Sequence, residues 1–206
     1  MHFASDYIAA FAASPLIRFG KWTPWELTNN ASEVLHQLLS YVDSSYHVAG
    51  AVAIHHTAIV EDRALIKGPA IVGPRCFIAA NTLIRGGCWL DQSCTMGPGC
   101  ELKSSFVFRG SKLAHFNFVG DSIVGSDVNL EAGSIVANYR NERPDSTIKI
   151  FHKRKVIDTH VNKFGALIGD ECKIGANAVI APGAILESRT VVPRLTLVDQ
   201  RPSEPS

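Results

Sequence analysis

Aliphatic side chains recur at every sixth position over the middle of the chain. The first nine such positions are Ile54, Val60, Ile66, Val72, Ile78, Ile84, Leu90, Met96 and Leu102. A small residue follows each of the first eight by four places: Ala58, Ala64, Ala70, Cys76, Thr82, Cys88, Cys94 and Cys100. A period of six fits neither a helix of 3.6 residues per turn nor a long strand. It is typical of short strands that are joined by tight corners.

The period continues towards the end of the chain with two short steps and one interruption. Five residues instead of six separate Leu102 from Val107 and Val119 from Val124, and the period of six returns over 168–192. Gly-Pro and Pro-Gly pairs at 68–69, 73–74, 97–99 and 182–183 are corner residues. Three strands per coil make an 18-residue coil, and such coils stack by parallel strand pairing at roughly 4.8 Å. The pattern predicts an all-β solenoid, a parallel β-helix over residues 50–197.

The two ends of the chain lack this period. Residues 1–49 predict a small helical cap on the first coil, in which Thr23 to Glu26 form a capping box with Pro24 at the first helical position. An apolar stripe of helical spacing follows at Leu35, Leu38, Leu39 and Val42. We expect residues 198–206 to form a disordered tail.

The interruption at 140–163 is basic, with seven Lys or Arg against three Asp or Glu. Its apolar residues at 147–150 and 156–157 flank a polar stretch, which predicts a hairpin without a clear turn dipeptide. Two interpretations stay open for this arm. It packs on a neighbouring subunit, or it helps to hold an anionic ligand.

Composition narrows the classes of function. The net charge of +1 argues against a nucleic-acid partner, and no apolar run is long enough to span a membrane. The first apolar stretch is preceded by no Lys or Arg, so we expect a cytoplasmic protein. The five cysteines form no Cys-x-x-Cys pair, which argues against a zinc site and favours reduced thiols at the small interior positions.

Polar motifs interrupt the repeat between Glu101 and Tyr139. They read Glu-x-Lys, Gly-Ser-Lys-x-x-His, Gly-Asp, Val-Asn and a final Asn-Tyr. The segment resembles the hexapeptide-repeat acyltransferases. The similarity is to the acetyltransferase domain of the bifunctional enzyme that acetylates glucosamine-1-phosphate and then uridylates it, and to related sugar-1-phosphate nucleotidyltransferases. The resemblance implies a left-handed β-helix, a homotrimer with sites between subunits, and acetyl-CoA as co-substrate, with no metal required for acetyl transfer.

The resemblance also implies roles for individual residues. His115 matches the catalytic base, and Glu101 matches the carboxylate that polarises it. Arg85 and Lys103 match a phosphate site. These two cations are 18 residues apart, so they lie on adjacent coils about 5 Å apart and repel each other unless an anion bridges them.

Other matched positions contact the sugar or the acetyl donor. The sugar contacts are Phe118, Asn129, Asn138 and Tyr139. The backbone contacts to acetyl-CoA are Ala132, Ala166 and Ala184. Two residues depart from the family pattern, since Phe118 stands where the family has tyrosine and Glu131 stands where it has glycine.

We therefore expect an acetyl-CoA-dependent N-acetyltransferase that acts on an amino-sugar-1-phosphate by direct transfer. The first 47 residues lack the repeat and are too few for a glycine-rich nucleotidyltransferase domain, so we expect no uridyltransferase domain. One alternative is a non-catalytic trimer that binds a sugar phosphate, a nucleotide sugar or a partner enzyme. Another is a γ-type carbonic anhydrase, which needs a His-x4-His pair, but Gly120 stands at the second position.

Overall fold

A computed structural model describes residues 3–200, and its central feature is a parallel β-solenoid. Three sheets, which we name A, B and C, form the three faces of the coil. Each coil contributes one short strand to each sheet, and adjacent coils pair in parallel. The predicted β-helix is confirmed. None of the helices in residues 3–200 combines the length and the apolar character that a bilayer crossing needs.

Strands are numbered along the chain. Sheet A contains β1 Tyr46–Ala49, β2 Val52–His55, β5 Ala70–Val72, β8 Cys88–Leu90, β11 Phe106–Val107, β14 Ile123–Val124, β19 Ala166–Ile168 and β22 Ala184–Leu186. Sheet B contains β3 Ile59–Val60, β6 Phe77–Ile78, β9 Thr95–Met96, β12 Lys112–Leu113, β15 Asn129–Leu130, β20 Lys173–Ile174 and β23 Val191–Val192. Sheet C contains β4 Leu65–Ile66, β7 Leu83–Arg85, β10 Glu101–Lys103, β13 Phe118–Gly120, β16 Ile135–Val136, β21 Val179–Ile180 and β24 Leu197–Val198.

The interior of the coil is filled by the two repeat positions that the sequence predicts. Most of the aliphatic residues and all five cysteines form one buried core, and the half-buried Ile54, Val60 and Ile66 of the first coil pack against it. At several corners the residue just before the small position has a left-handed backbone, as Arg75, Ser93 and Glu171 do with φ of 56°, 60° and 61°. That conformation is costly for a residue with a side chain, and it lets the chain turn into the next strand within two residues.

The N-terminal segment is helical, as predicted. It contains three 3₁₀ helices, Phe3–Asp6, Ala9–Ala13 and Pro15–Phe19, and two α-helices, α1 Pro24–Asn29 and α2 Ala31–Leu39. The capping box is present, because the Thr23 side chain accepts the Glu26 N–H while the Glu26 carboxylate accepts the Thr23 N–H.

The position of this segment corrects the expectation of a cap on the first coil. The helices lie along the outer face of sheet A, where Trp25 and Leu35 share a buried cluster with Trp89 and Phe164. Contacts reach the late coils too, since the Ala9 N–H donates to Asp170 Oδ2 at 2.8 Å. The reason is that the outward residues of sheet A are apolar and have to be covered.

The basic interruption leaves the coil as a hairpin, which confirms that prediction. Strands β17 Lys149–His152 and β18 Lys155–Asp158 pair antiparallel. The turn residues Lys153 and Arg154 have φ of 48° and 62°, as a two-residue type I′ turn requires. The hairpin packs on its own chain, because Ile148 and Ile150 are fully buried against the apolar layer over sheet A. Packing on a neighbouring subunit stays a prediction.

Residues 198–200 are ordered, which corrects the expected start of the tail. Val198 belongs to β24, and the Ile185 N–H donates to Gln200 Oε1 at 2.6 Å. Asp199 accepts from both terminal nitrogens of the buried Arg140, at 3.1 and 2.9 Å. Residues 201–206, the rest of the predicted tail, lie outside the described residues.

Candidate active site

A groove on the outer face of sheet C brings together five of the residues that the sequence singles out. It has a volume of about 570 Å³ and is lined by Arg85, Lys103, Phe118, Asn138, Tyr139 and Lys163. Strand register explains the grouping, since Lys103 pairs with Arg85 on one side and with Gly120 on the other. The first five had been matched separately to one sugar-phosphate site.

Two of the three cations in the groove are already paired with carboxylates of the chain. Arg85 Nε and Nη2 both contact Glu101 Oε1, at 2.7 and 2.6 Å. Lys103 Nζ donates to both oxygens of Asp121, at 2.9 and 2.7 Å, and to Ser104 Oγ at 3.4 Å. The anions that relieve the predicted repulsion between the two cations are therefore carboxylates of the protein.

Asp121 is the centre of this network, and sequence reasoning missed its role. It is 4% exposed, and it accepts from Asn138 Nδ2 as well as from Lys103. Gly120 is needed here for close approach, because a Cβ atom would lie 2.7 Å from Asn138 Nδ2 and 2.8 Å from Phe118 Cζ. The Gly-Asp pair in the polar motif was the available signal.

Lys163 is the second missed residue of the groove. It belongs to the basic interruption, where charge alone gave no way to choose one lysine among several. It is exposed, and among residues 3–200 no hydrogen bond or ion pair engages its ammonium group. Lys103, by contrast, uses three donors on its own chain.

His115 lies outside the groove, at the corner between sheets B and C. It follows β12 and precedes β13, and its side chain is exposed. Strand β13, three residues long, separates this corner from Asp121, so the two lie about 10 Å or more apart along the sheet. No hydrogen bond joins His115 to Glu101 in the part of the chain that the structure describes.

The corner of His115 is held from inside the coil by Asn117, which the sequence analysis did not select. Asn117 is 2% exposed and occupies a small interior position. Its Oδ1 accepts the His115 N–H at 3.1 Å, and its Nδ2 donates to Glu131 O at 2.7 Å and to Ser134 Oγ at 2.9 Å. These bonds fix the backbone from which His115 projects.

Four other matched residues lie away from the groove. Asn129 is exposed on sheet B, beside Lys112. Ala132 lies on the corner next to His115, because the Gly133 N–H donates to His115 O at 2.9 Å. Ala166 and Ala184 are buried in sheet A and pair with each other. Their N–H groups donate to Ser122 Oγ and Ala181 O within the chain.

Comparison with known proteins identifies relatives by sequence. No family model matches the chain. The chain is 33% identical over 159 residues to a bifunctional sugar-1-phosphate nucleotidylyltransferase/acetyltransferase of Sulfurisphaera tokodaii. The aligned region covers 77% of this chain and 38% of that protein. The chain is 34% identical over 131 residues to the bifunctional protein GlmU of Methanococcus vannielii, which covers 64% of this chain and 30% of that one.

The resemblance to hexapeptide-repeat acyltransferases is thereby confirmed. The chain spans well under half the length of these two relatives. Among solved structures, an Arabidopsis UDP-N-acetylglucosamine acyltransferase is 21% identical, with a TM-score of 0.38 over 71% of this chain and 61% of that one. A hexapeptide transferase family protein from Anaplasma phagocytophilum is 17% identical, with a TM-score of 0.35 over 74% and 76%.

Glu131, the residue that departs from the acyltransferase pattern, is held by an arginine. Arg194 Nε and Nη2 donate to its two carboxylate oxygens at 2.8 and 2.9 Å, and the Ala176 N–H donates to Oε2 at 2.9 Å. The hydrogen bonds from Arg194, and then that from Ala176, lower the pKa of Glu131. The carboxylate is therefore ionised at neutral pH and fixed beside the corner of His115.

Proposed function

We propose that the chain is an acetyl-CoA-dependent N-acetyltransferase for an amino-sugar-1-phosphate. The observation that carries the proposal is the groove on sheet C, where Arg85, Phe118, Asn138 and Tyr139 meet. Residues matched one by one to a sugar-phosphate site share one surface. The relatives add support, because the name of one includes an acetyltransferase.

The phosphate of the substrate would be bound by Arg85 and Lys163. Arg85 has five N–H donors, and only two of its nitrogens contact Glu101, so the other donors are available to a phosphate. Lys163 is exposed at the same groove. Lys103 would add positive charge to the site without contacting the phosphate directly, because its ammonium is engaged by Asp121 and Ser104. Three cations against two carboxylates leave an excess positive charge for an anion.

His115 would act as the general base. It would take a proton from the sugar amine while the nitrogen attacks the thioester carbonyl. The tetrahedral intermediate would then expel the thiolate of coenzyme A, which recovers a proton. The enzyme would form no covalent intermediate, since all five cysteines are buried in the coil. Burial raises the pKa of Cys88 to about 11, which keeps its thiol neutral.

His115 is not among the residues that line the groove, which supports a site that two copies of the chain complete together. Each chain would offer its histidine to a groove on the next, as in the homotrimer that the resemblance implies. Exposed apolar side chains mark the surface that a second copy would cover. They lie on sheet C and on its corner with sheet B: Leu65, Phe116, Ile135, Leu195 and Leu197.

A second candidate is a non-catalytic trimer that binds a sugar phosphate. The pairing of Glu101 with Arg85 favours it, because the carboxylate that was expected to polarise His115 is engaged elsewhere. Phe118 also lacks the hydroxyl that the family tyrosine would offer to the sugar.

Release of free thiol from acetyl-CoA, measured with a panel of amino-sugar-1-phosphates, separates the two candidates. If the proposal holds, His115→Ala lowers kcat by roughly 10²–10⁴ and leaves the KM for the sugar phosphate within a few-fold. His47→Ala removes another exposed histidine, on the edge strand of sheet A, and serves as the matched control. A folded His115→Ala protein with wild-type turnover would favour the binding protein.

A further inference from the structure

The ion pair between Glu131 and Arg194 lies on the same corner as His115. Backbone hydrogen bonds define the stack. The Gly133 N–H donates to His115 O, the Asn177 N–H to Ala132 O, and the Leu195 N–H to Ala176 O, at 2.9, 3.0 and 3.0 Å. Glu131 therefore lies on the coil that follows the coil of His115. Ala176 lies on the coil after that, and Arg194 lies one coil further still.

The pair engages a backbone donor on the coil between its two residues. The Ala176 N–H donates to Glu131 Oε2, and the same oxygen accepts from Arg194 Nε. The ion pair therefore spans the corner at Ala176, because Glu131 lies on the coil before that corner and Arg194 on the coil after it. The side chains themselves are open to water, with Arg194 72% and Glu131 36% exposed.

An acyl donor has to bring its thioester to the amine that His115 deprotonates. On the C-terminal side of His115, the adjoining surface is the corner that Glu131 and Arg194 cover. We propose that this pair is a displaceable cover over the acyl-donor side of the site, an inference that rests on the proposed function. Opening it exposes the Ala176 N–H to an amide carbonyl of the donor and frees the Arg194 guanidinium for a phosphate of the carrier.

The cover limits affinity for the donor without blocking it. Exposed ion pairs contribute little to stability, so a ligand that offers equivalent partners can replace this one. The donor that fits is a thioester on a phosphate-bearing carrier with amide groups, which is the chemistry of acetyl-CoA. Glycine at position 131, as in the family pattern, could form no such cover.

The test is the affinity of the purified protein for acetyl-CoA, measured by calorimetry without a sugar substrate. We expect Glu131→Ala to bind acetyl-CoA about tenfold more tightly than wild type, because binding no longer has to break the ion pair and the bond to Ala176. Amide hydrogen exchange at Ala176 should be faster in the variant. Affinity for the sugar phosphate should stay within twofold.

The pair between Glu171 and Arg189 supplies a matched control. It has the same forked geometry, with distances of 3.2 and 3.3 Å, and it is exposed at a different corner. Glu171→Ala should leave the affinity for acetyl-CoA within twofold of wild type.

The outcomes separate the cover from the proposed function. If wild type turns over acetyl-CoA and Glu131→Ala binds it no more tightly, the cover is refuted and the function stands. If wild type shows no turnover and Glu131→Ala binds acetyl-CoA about tenfold more tightly than wild type, the cover is upheld and the acetyltransferase proposal falls. If neither protein binds acetyl-CoA, both proposals fall.

Discussion

Sheets A and C are built from the same six-residue repeat, but their outer faces have opposite character. From β5 to β22 the outward residues of sheet A are large and apolar, and all are buried: Ile71, Trp89, Phe106, Ile123, Leu167 and Ile185. Helices and the hairpin of the same chain cover them. On sheet C, strands β7 and β10 place charged residues at outward positions, and the groove there is open.

The difference shows that the inward repeat determines the coil, whereas the outward residues determine what each face does. The outer face of sheet A packs against the rest of the chain and so contributes to folding stability. Sheet C leaves apolar and charged groups exposed, which a chain does at some cost unless a ligand or a partner uses them. The same division explains the N-terminal segment, which lies on sheet A and leaves the groove uncovered.

The largest expected difference between the two faces is in folding stability. Trp89→Ala removes a buried ring that packs against Phe108 at 5.2 Å, so it should lower the free energy of unfolding by about 3–5 kcal/mol. Phe118→Ala on sheet C should cost about 1 kcal/mol, because that ring is only half-buried. Urea denaturation of both variants checks this. Equal losses would show that the outer faces do not differ in this way.

The next effect concerns anion binding on sheet C. Arg85→Gln should raise the KM for the sugar phosphate by roughly ten- to a hundredfold with little change in kcat, because a charge-assisted contact to the phosphate is lost. Arg75→Gln is the control, since Arg75 is an exposed arginine that bonds Gln92 and Ser93 at another corner. Steady-state kinetics check this. Equal KM values for the two variants would show that the phosphate does not bind in this groove.

A smaller effect is expected in the interior that the two faces share. Burial raises the pKa of Cys88 to about 11, above its ordinary value near 9. The unfolded thiol therefore loses its proton first, and stability is full below pH 9 and falls as the pH rises towards 11. Between pH 9 and 10, the free energy of unfolding of Cys88→Ala should fall by about 1 kcal/mol less than that of wild type. Parallel curves from denaturation at each pH would contradict the buried neutral thiol.

The smallest expected effect is that of Cys100→Ala on catalysis. Cys100 lies inside the coil at the start of β10, 1% exposed. Direct transfer does not use a thiol, so kcat should stay within about threefold of wild type. A folded variant that has lost turnover would indicate a covalent acyl-enzyme instead.

The sequence predicts the inside of this molecule better than its outside. Spacing alone identifies the aliphatic positions and the cysteines, because most interior positions of the coil hold aliphatic or small residues. The motif match identifies most of the groove. It does not reveal the partners of its charges, since Glu101 and Asp121 meet Arg85 and Lys103 only through the stacking of coils.

Ala166 and Ala184 illustrate a second limit. Small residues occur at most interior corners, so a match at an alanine does not determine on which face of the coil it lies. The structure shows Ala176 and Arg194, not Ala166 and Ala184, on the corner of His115 and Ala132. Residues 1–49 predict helices, but amphipathic spacing cannot tell whether the helices cover the end or the side of a solenoid.

Coexpression of two variants that are each impaired at low sugar-phosphate concentration tests the central claim most directly, that one chain supplies His115 and another supplies the groove. One variant carries His115→Ala, and the other carries Arg85→Gln with Lys163→Met. In randomly mixed rings about a quarter of the sites would combine an intact histidine with an intact groove, so about a quarter of wild-type activity should return at low sugar-phosphate concentration. Activity that stays at the level of the two single variants would show that each chain forms its site alone.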